Sequence, residues 1–171
     1  VVMLVGAWTR LVDAGLGCPD WPGCYGKLLV PDNEHATLRH PDVPLVPFKA
    51  WVEMVHRYIA SLLGLLVISV VALGWSLRRR QGYPWHLSWV LLIVIVLQGA
   101  FGAFTVTLQL WPQVVTLHLL GGLSVLLLFL WLHLRLRLAV TEAKVTAPRS
   151  TNSWWVIAAC LLVAQMALGG W

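Results

Sequence analysis

The sequence predicts an all-α fold, a polytopic membrane helix bundle, on three observations. Hydrophobic residues make up 59% of the 171 positions and charged residues only 11%. With a mean hydropathy of +0.79, that balance is far from the composition of a water-soluble domain. The apolar residues fall into runs near the ~20 residues a helix needs to cross the hydrocarbon. Between the runs lie short segments that hold most of the charge, glycine and proline. A net charge of +5 would suit nucleic acid in a soluble protein, but here the basic side chains sit in those short segments, where they set membrane orientation. A nucleic-acid function is therefore excluded.

Residues 1–12 read as the last half of a helix, broken by Asp13 and Gly15. An outer loop over residues 13–49 follows, rich in Pro, Gly, Asp and His, which favour turns and irregular backbone. The second span covers residues 50–77, entered through Pro47 and ended by Arg78, Arg79 and Arg80. The third covers 87–110 and the fourth 114–134, with Trp111-Pro112 as the tight turn between them. A fifth opens at Trp154 and is still apolar at Trp171. The chain begins with Val1, its first run is too short to span, and it stops inside an apolar run. It reads as a fragment: a four-helix half over 1–135, a cytoplasmic linker over 136–153, and the start of a second half over 154–171.

Arg78, Arg79 and Arg80 lie beside the spans with no acid near them, and Arg135, Arg137, Lys144 and Arg149 face only Glu142. By the bias of Lys and Arg toward the cytoplasm, those two loops are cytoplasmic and the 13–49 loop and the Trp111 turn are outside. His56 then lies near the outer end of the second span and His118 near the outer end of the fourth, at similar depth. Ionisable side chains at such positions are functional candidates. Glu53 shares a helix face with His56, and Ala60 and Gly64 continue that face with almost no side chain. His118 precedes Gly121 and Gly122. Two histidines, each beside small residues that leave room for something flat, point to a bis-histidine heme clamp. A lone histidine in an apolar helix is more often a packing residue, and the matched pair shifts that balance. Glu53 has a blander reading, an i,i+4 pair with Arg57.

Gln98-Gly-Ala-Phe-Gly-Ala-Phe104 matches Gln165-Met-Ala-Leu-Gly-Gly-Trp171, and Met3-Leu-Val-Gly-Ala-Trp8 matches the stretch from Met166 to Trp171. Small residues in these helices also fit plain helix packing in lipid. If the fifth span restates the first, the intact protein contains a second four-helix half. On the outer, oxidising side, Cys18 and Cys24 are close enough in sequence to form a disulfide. Metal binding with His35 and His40 is the alternative, although the spacing matches no common zinc module. Cys160 reads as a packing residue, and His35, His40, His86 and His133 as loop or interface residues. Most tryptophans fall near span ends and fit an aromatic belt.

Gly6-Ala-Trp-Thr-Arg10, Gly15-Leu-Gly-Cys-Pro-Asp-Trp-Pro22, Cys24-Tyr-Gly-Lys27, Glu53-Met-Val-His-Arg57, Gln98-Gly-Ala-Phe-Gly-Ala103 and Val115-Thr-Leu-His-Leu-Leu-Gly-Gly122 occur in this order along most of the chain. Together they resemble the heme A synthase family of cytochrome oxidase assembly proteins. The resemblance implies an eight-helix protein of two four-helix halves, each with a histidine pair, that oxidises a methyl group of heme o to the formyl group of heme a. It implies that His56 and His118 are the heme-iron ligands of the first half, where heme o is the substrate, and that heme b belongs to the second half. Glu53 becomes the carboxylate beside the substrate. Cys18 and Cys24 become the outer pair, which forms a disulfide in part of the family. Implied partners are heme o, membrane lipid, heme O synthase and cytochrome c oxidase assembly factors. The implied location is a bacterial inner membrane, with the mitochondrial inner membrane as the alternative.

Two other classes stand beside this one. A bis-histidine membrane cytochrome relaying electrons to or from quinone also needs paired histidines, but has no evident use for Glu53 or the cysteine loop. A transporter or structural subunit needs neither. Arg10 and Arg57 fit interfacial anchoring or the holding of heme propionates.

Overall fold

The computed structural model describes residues 1–141 and 153–169. Helices α1 (Val2–Leu11), α2 (Asn33–Arg39), α3 (Pro47–Leu77), α4 (Trp85–Thr107), α5 (Pro112–Thr141) and α6 (Ser153–Gly169) make up its regular structure. No strand occurs among the described residues. Pro47–Leu77, Trp85–Thr107 and Pro112–Ala139 are long and apolar enough to cross a membrane, so the chain is a multi-pass membrane protein.

The 31 residues of α3 span about 46 Å at ~1.5 Å per residue. That exceeds a ~30 Å hydrocarbon core, so its first turns are free to carry the outer loop. Pro47 starts it where a missing N–H is harmless. Helix α4 ends at Thr107, earlier than the sequence pattern implied. Gln109 and Leu110 take positive φ of 49° and 58°, and the Leu110 N–H turns back to the Thr105 carbonyl at 2.7 Å. The Leu110 side chain packs against Gly15, closing the outer end. Helix α5 runs past the expected end at residue 134 because Leu132 and Leu136 still pack in one cluster with Val67 of α3 and Leu87 and Leu91 of α4. The linker expected over 136–153 thus begins as helix. Its residues 142–152, and positions 170 and 171 of the repeat, lie outside the described residues.

The outer loop is less irregular than its composition implied. Asp32 accepts the His35 N–H at 2.8 Å, capping α2, while Ala36 faces the loop core. An N-cap aspartate satisfies one of the orphan donors of the first turn, enough to hold a short helix when one face is buried.

Along the bundle α1 packs on α3, α3 on α4, α4 on α5 and α5 on α6. At the end opposite the loop, the Arg78 guanidinium lies 4.3 Å from the Trp75 ring centroid, and Trp75 meets Trp85 and Trp89 edge-on. Such a cluster suits the aromatic and cationic belt at a membrane–water boundary. In a Cys160→Ser background, Arg79→Cys is expected to react with an impermeant maleimide only after permeabilisation, and Gln109→Cys in intact cells. The opposite pattern would invert the orientation.

Candidate functional site

Cys18 and Cys24 form a disulfide, with Cα atoms 4.9 Å apart. Both are fully buried, with Tyr25, Ala36, Ala50 and Met54, in a small core on the outer turns of α3. The loop holds its shape through Asp20, whose carboxylate accepts the N–H groups of Tyr25 and Gly26, both at 2.6 Å. Those two residues have positive φ, 51° and 77°, and the second is the glycine that such a turn favours. Burial, helped by the carboxylates of Asp20 and Glu53, raises the Tyr25 phenol above its ordinary range. At the loop edges Lys49 pairs with Asp13 at 2.8 Å, which holds that carboxyl below its usual value.

Glu53 and Arg57 join this loop to the helix. Ala50, Glu53, Met54 and Arg57 recur on one face of α3. The Glu53 side chain is 5% exposed and pairs with Arg57, itself 12% exposed. Glu53 Oε2 also accepts the Cys18 N–H at 2.9 Å. Arg57 donates to the carbonyls of Asp20 at 3.0 Å, Pro22 at 3.3 Å, and Gly23. The blander reading of Glu53, the i,i+4 pair, is thus present. The sequence did not reveal its second partner, a backbone N–H thirty-five residues away. Arg57 thus divides its donors between Glu53 and the loop carbonyls.

Within the turn bounded by that pair, His56 leans against α1: a Cβ built on Gly6 would lie 2.9 Å from its Cε1. His118 leans against α4 in the same way, 3.2 Å from a Cβ on Gly102. His56 lies about 14 Å from the start of α3 and His118 about 9 Å from the start of α5. Each has a buried Nδ1 with no protein partner. An unpaired buried polar atom costs about 1–3 kcal/mol, and each of these histidines carries one that no protein group answers. Nothing lies within 4 Å of a Cβ on Gly64, so open space is present at that glycine, eight residues beyond His56. The clearing expected beside His118 is not present, because Gly121 and Gly122 face Gln98 of α4, whose amide donates to the His118 carbonyl. By the chemistry of the donor set, two buried imidazoles without a protein partner at the ring nitrogen, His56 and His118 fit the ligation a heme iron takes.

The metal alternative for the cysteines is set aside, because the bridge consumes both thiolates. His35 Nε2 instead lies 3.0 Å from the Tyr25 carbonyl, and His40 packs edge-on against the Tyr25 ring. Among the described residues no cluster of three His, Cys, Asp or Glu forms a further metal site. His86 stacks on Trp85, Cys160 is exposed, and Arg10 lies in the last turn of α1.

Fold and site together define a multi-pass membrane protein with a histidine pair beneath a disulfide-bridged outer loop. The family model described as cytochrome oxidase assembly protein matches residues 1–171, and the chain belongs to that family. It is 45% identical to a heme A synthase of Shewanella oneidensis over 100% of this chain and 52% of that protein. It is 31% identical to a heme A synthase of Geobacillus kaustophilus over 84% of this chain and 42% of that protein. A shorter stretch, 44% of this chain and 13% of the other, is 37% identical to protoheme IX farnesyltransferase 1 of Natronomonas pharaonis. The chain spans about half the length of the heme A synthases it matches. No solved structure matches.

Arg57→Ala leaves a buried carboxylate and several carbonyls without their donor, and is expected to destabilise by about 3–5 kcal/mol. Thermal unfolding and faster proteolysis within residues 13–46 would register it, whereas Lys49→Ala, at an exposed pair, should leave both unchanged. Because the folded phenol value of Tyr25 is raised, its contribution is complete below the ordinary phenol range and lost as pH climbs through the folded value. The loop should therefore become protease-sensitive in alkali, and Tyr25→Phe should remove that dependence.

Proposed function

We propose that this chain is the heme o-binding half of a heme A synthase, in which the methyl group of heme o is oxidised to the formyl group of heme a for cytochrome c oxidase assembly. The observation that carries this reading is the pair His56 and His118, each with an unpartnered buried Nδ1, in a chain similar throughout to a heme A synthase. His56 and His118 would hold the heme iron through the imidazoles. The helices and the loop above them would shield that site from water. Glu53, three residues before His56 on α3, is a carboxylate that would take up a proton released at that site. A second reading of Glu53, as a staple for the loop, is favoured by its bonds to Arg57 and Cys18.

In the two-half protein proposed here, residues 154–169 open the second half and heme b belongs to it. Heme O synthase and oxidase assembly factors are the proposed partners. The stretch similar to a protoheme IX farnesyltransferase supports the first of these. The proposed location is a bacterial inner membrane.

Porphyrin extraction from the purified intact protein should yield heme o or its oxidised products. Heme b alone would favour a quinone-linked cytochrome. His56→Ala and His118→Ala should each lose low-spin absorption from this half, and its retention in both would remove the clamp. Glu53→Gln should keep the heme and accumulate heme o or a partly oxidised product. A normal rate of heme a formation in that variant would leave Glu53 the staple alone.

A further inference from the structure

Gly6 and Gly102 occupy the same position in the internal repeat, each aligning with Gly169. Both lie inside regular helix with φ in the ordinary range, so no turn requires them, and glycine there costs about 1 kcal/mol relative to alanine. What each meets is an imidazole. The three atoms nearest a Cβ at Gly6 are Cε1, Nε2 and Nδ1 of His56, at 2.9, 3.3 and 3.6 Å. At Gly102 they are Cε1, Nδ1 and Nε2 of His118, at 3.2, 3.8 and 3.9 Å. The nitrogen-bearing edge of each ring is thus laid against a bare stretch of the neighbouring helix. Other glycines do not do this: Gly99, nearly one turn before Gly102, meets nothing within 4 Å, and Gly121 and Gly122 meet Gln98.

We propose that Gly6 and Gly102 are positioning residues, each a seat that admits one imidazole edge and sets the orientation of its ring, so that α1 serves His56 as α4 serves His118. A methyl group at either seat enters the space of the ring edge, and since helix backbone cannot withdraw from its own Cβ, the imidazole must turn. The seat itself stands on packing alone. Its effect on a bound heme rests on the function proposed above.

Two measurements separate the seat from the heme. In the intact protein, purified in detergent with heme withheld during expression, Gly102→Ala should lower the unfolding midpoint by about 3–10 °C while His118 is present. In a His118→Ala background the same change should give no loss. Gly6→Ala should behave likewise toward His56. If a single variant fails to fold, the double variant should recover. Equal losses in both backgrounds, or no recovery, would overturn the seat. In heme-loaded protein, Gly6→Ala and Gly102→Ala should shift the low-spin electron paramagnetic resonance g values and the midpoint potential, whereas Val96→Ala, on an exposed face of α4, should not. Unchanged values in both glycine variants would remove the orienting role. Absence of heme from the unmutated protein would instead refute the proposed function, leaving the thermal test to judge the seat.

Discussion

The Glu53–Arg57 ion pair is the contact on which the outer half of the molecule depends. Two buried charges are expensive to desolvate, and such a pair persists only where further hydrogen bonds satisfy the remaining donors and lone pairs. The Cys18 N–H supplies one and the loop carbonyls supply the rest. The disulfide acts on a smaller scale. With a separation of six residues it restricts a short ring, worth about 2 kcal/mol in the chain-entropy picture, and it tethers the loop only to itself. The ion pair fixes the loop to α3 in the same helical turn as His56.

Below that level the bundle is built from paired helices that use small residues as recesses for side chains. In lipid there is little hydrophobic gain from bringing helices together, so close packing and interhelical polar contacts carry the association. Gly6 and Gly102 take up imidazoles, Gly121 and Gly122 take up the Gln98 amide, and Gly74 lies under Tyr83 and Ser88. The α1–α3 and α4–α5 pairs therefore repeat one device, a histidine on one helix against a glycine on the next. Each ring leaves its Nδ1 buried without a protein partner.

These two layers are linked through α3. Its outer turns bury Ala50, Glu53 and Met54 against the loop, and the next turn presents His56 to α1. A helix cannot rotate one turn without rotating the next, so docking of the loop also sets the azimuth of His56. Membership of the cytochrome oxidase assembly protein family gives that coupling a setting in heme chemistry, and the geometry shows which bonds transmit it.

The sequence by itself determined the class, the order of the spans and the two histidines near the same end of their helices. These are legible because hydrophobic run length and basic flanks answer directly to the thickness and polarity of a membrane, without regard to which helix touches which. Glycines were legible as small but ambiguous in purpose: Gly121 and Gly122 looked like clearings and are filled by Gln98, while Gly6 and Gly102 looked like packing and hold the imidazoles. The short helix α2 was hidden inside a loop-like composition, its one signal being Asp32 as a cap. Only the tertiary structure decided that Glu53 takes the Cys18 amide, that Arg57 gathers loop carbonyls and that each histidine leans on a glycine of another helix. Those contacts join residues far apart in sequence, and periodicity reports which face a residue occupies, not what stands opposite it.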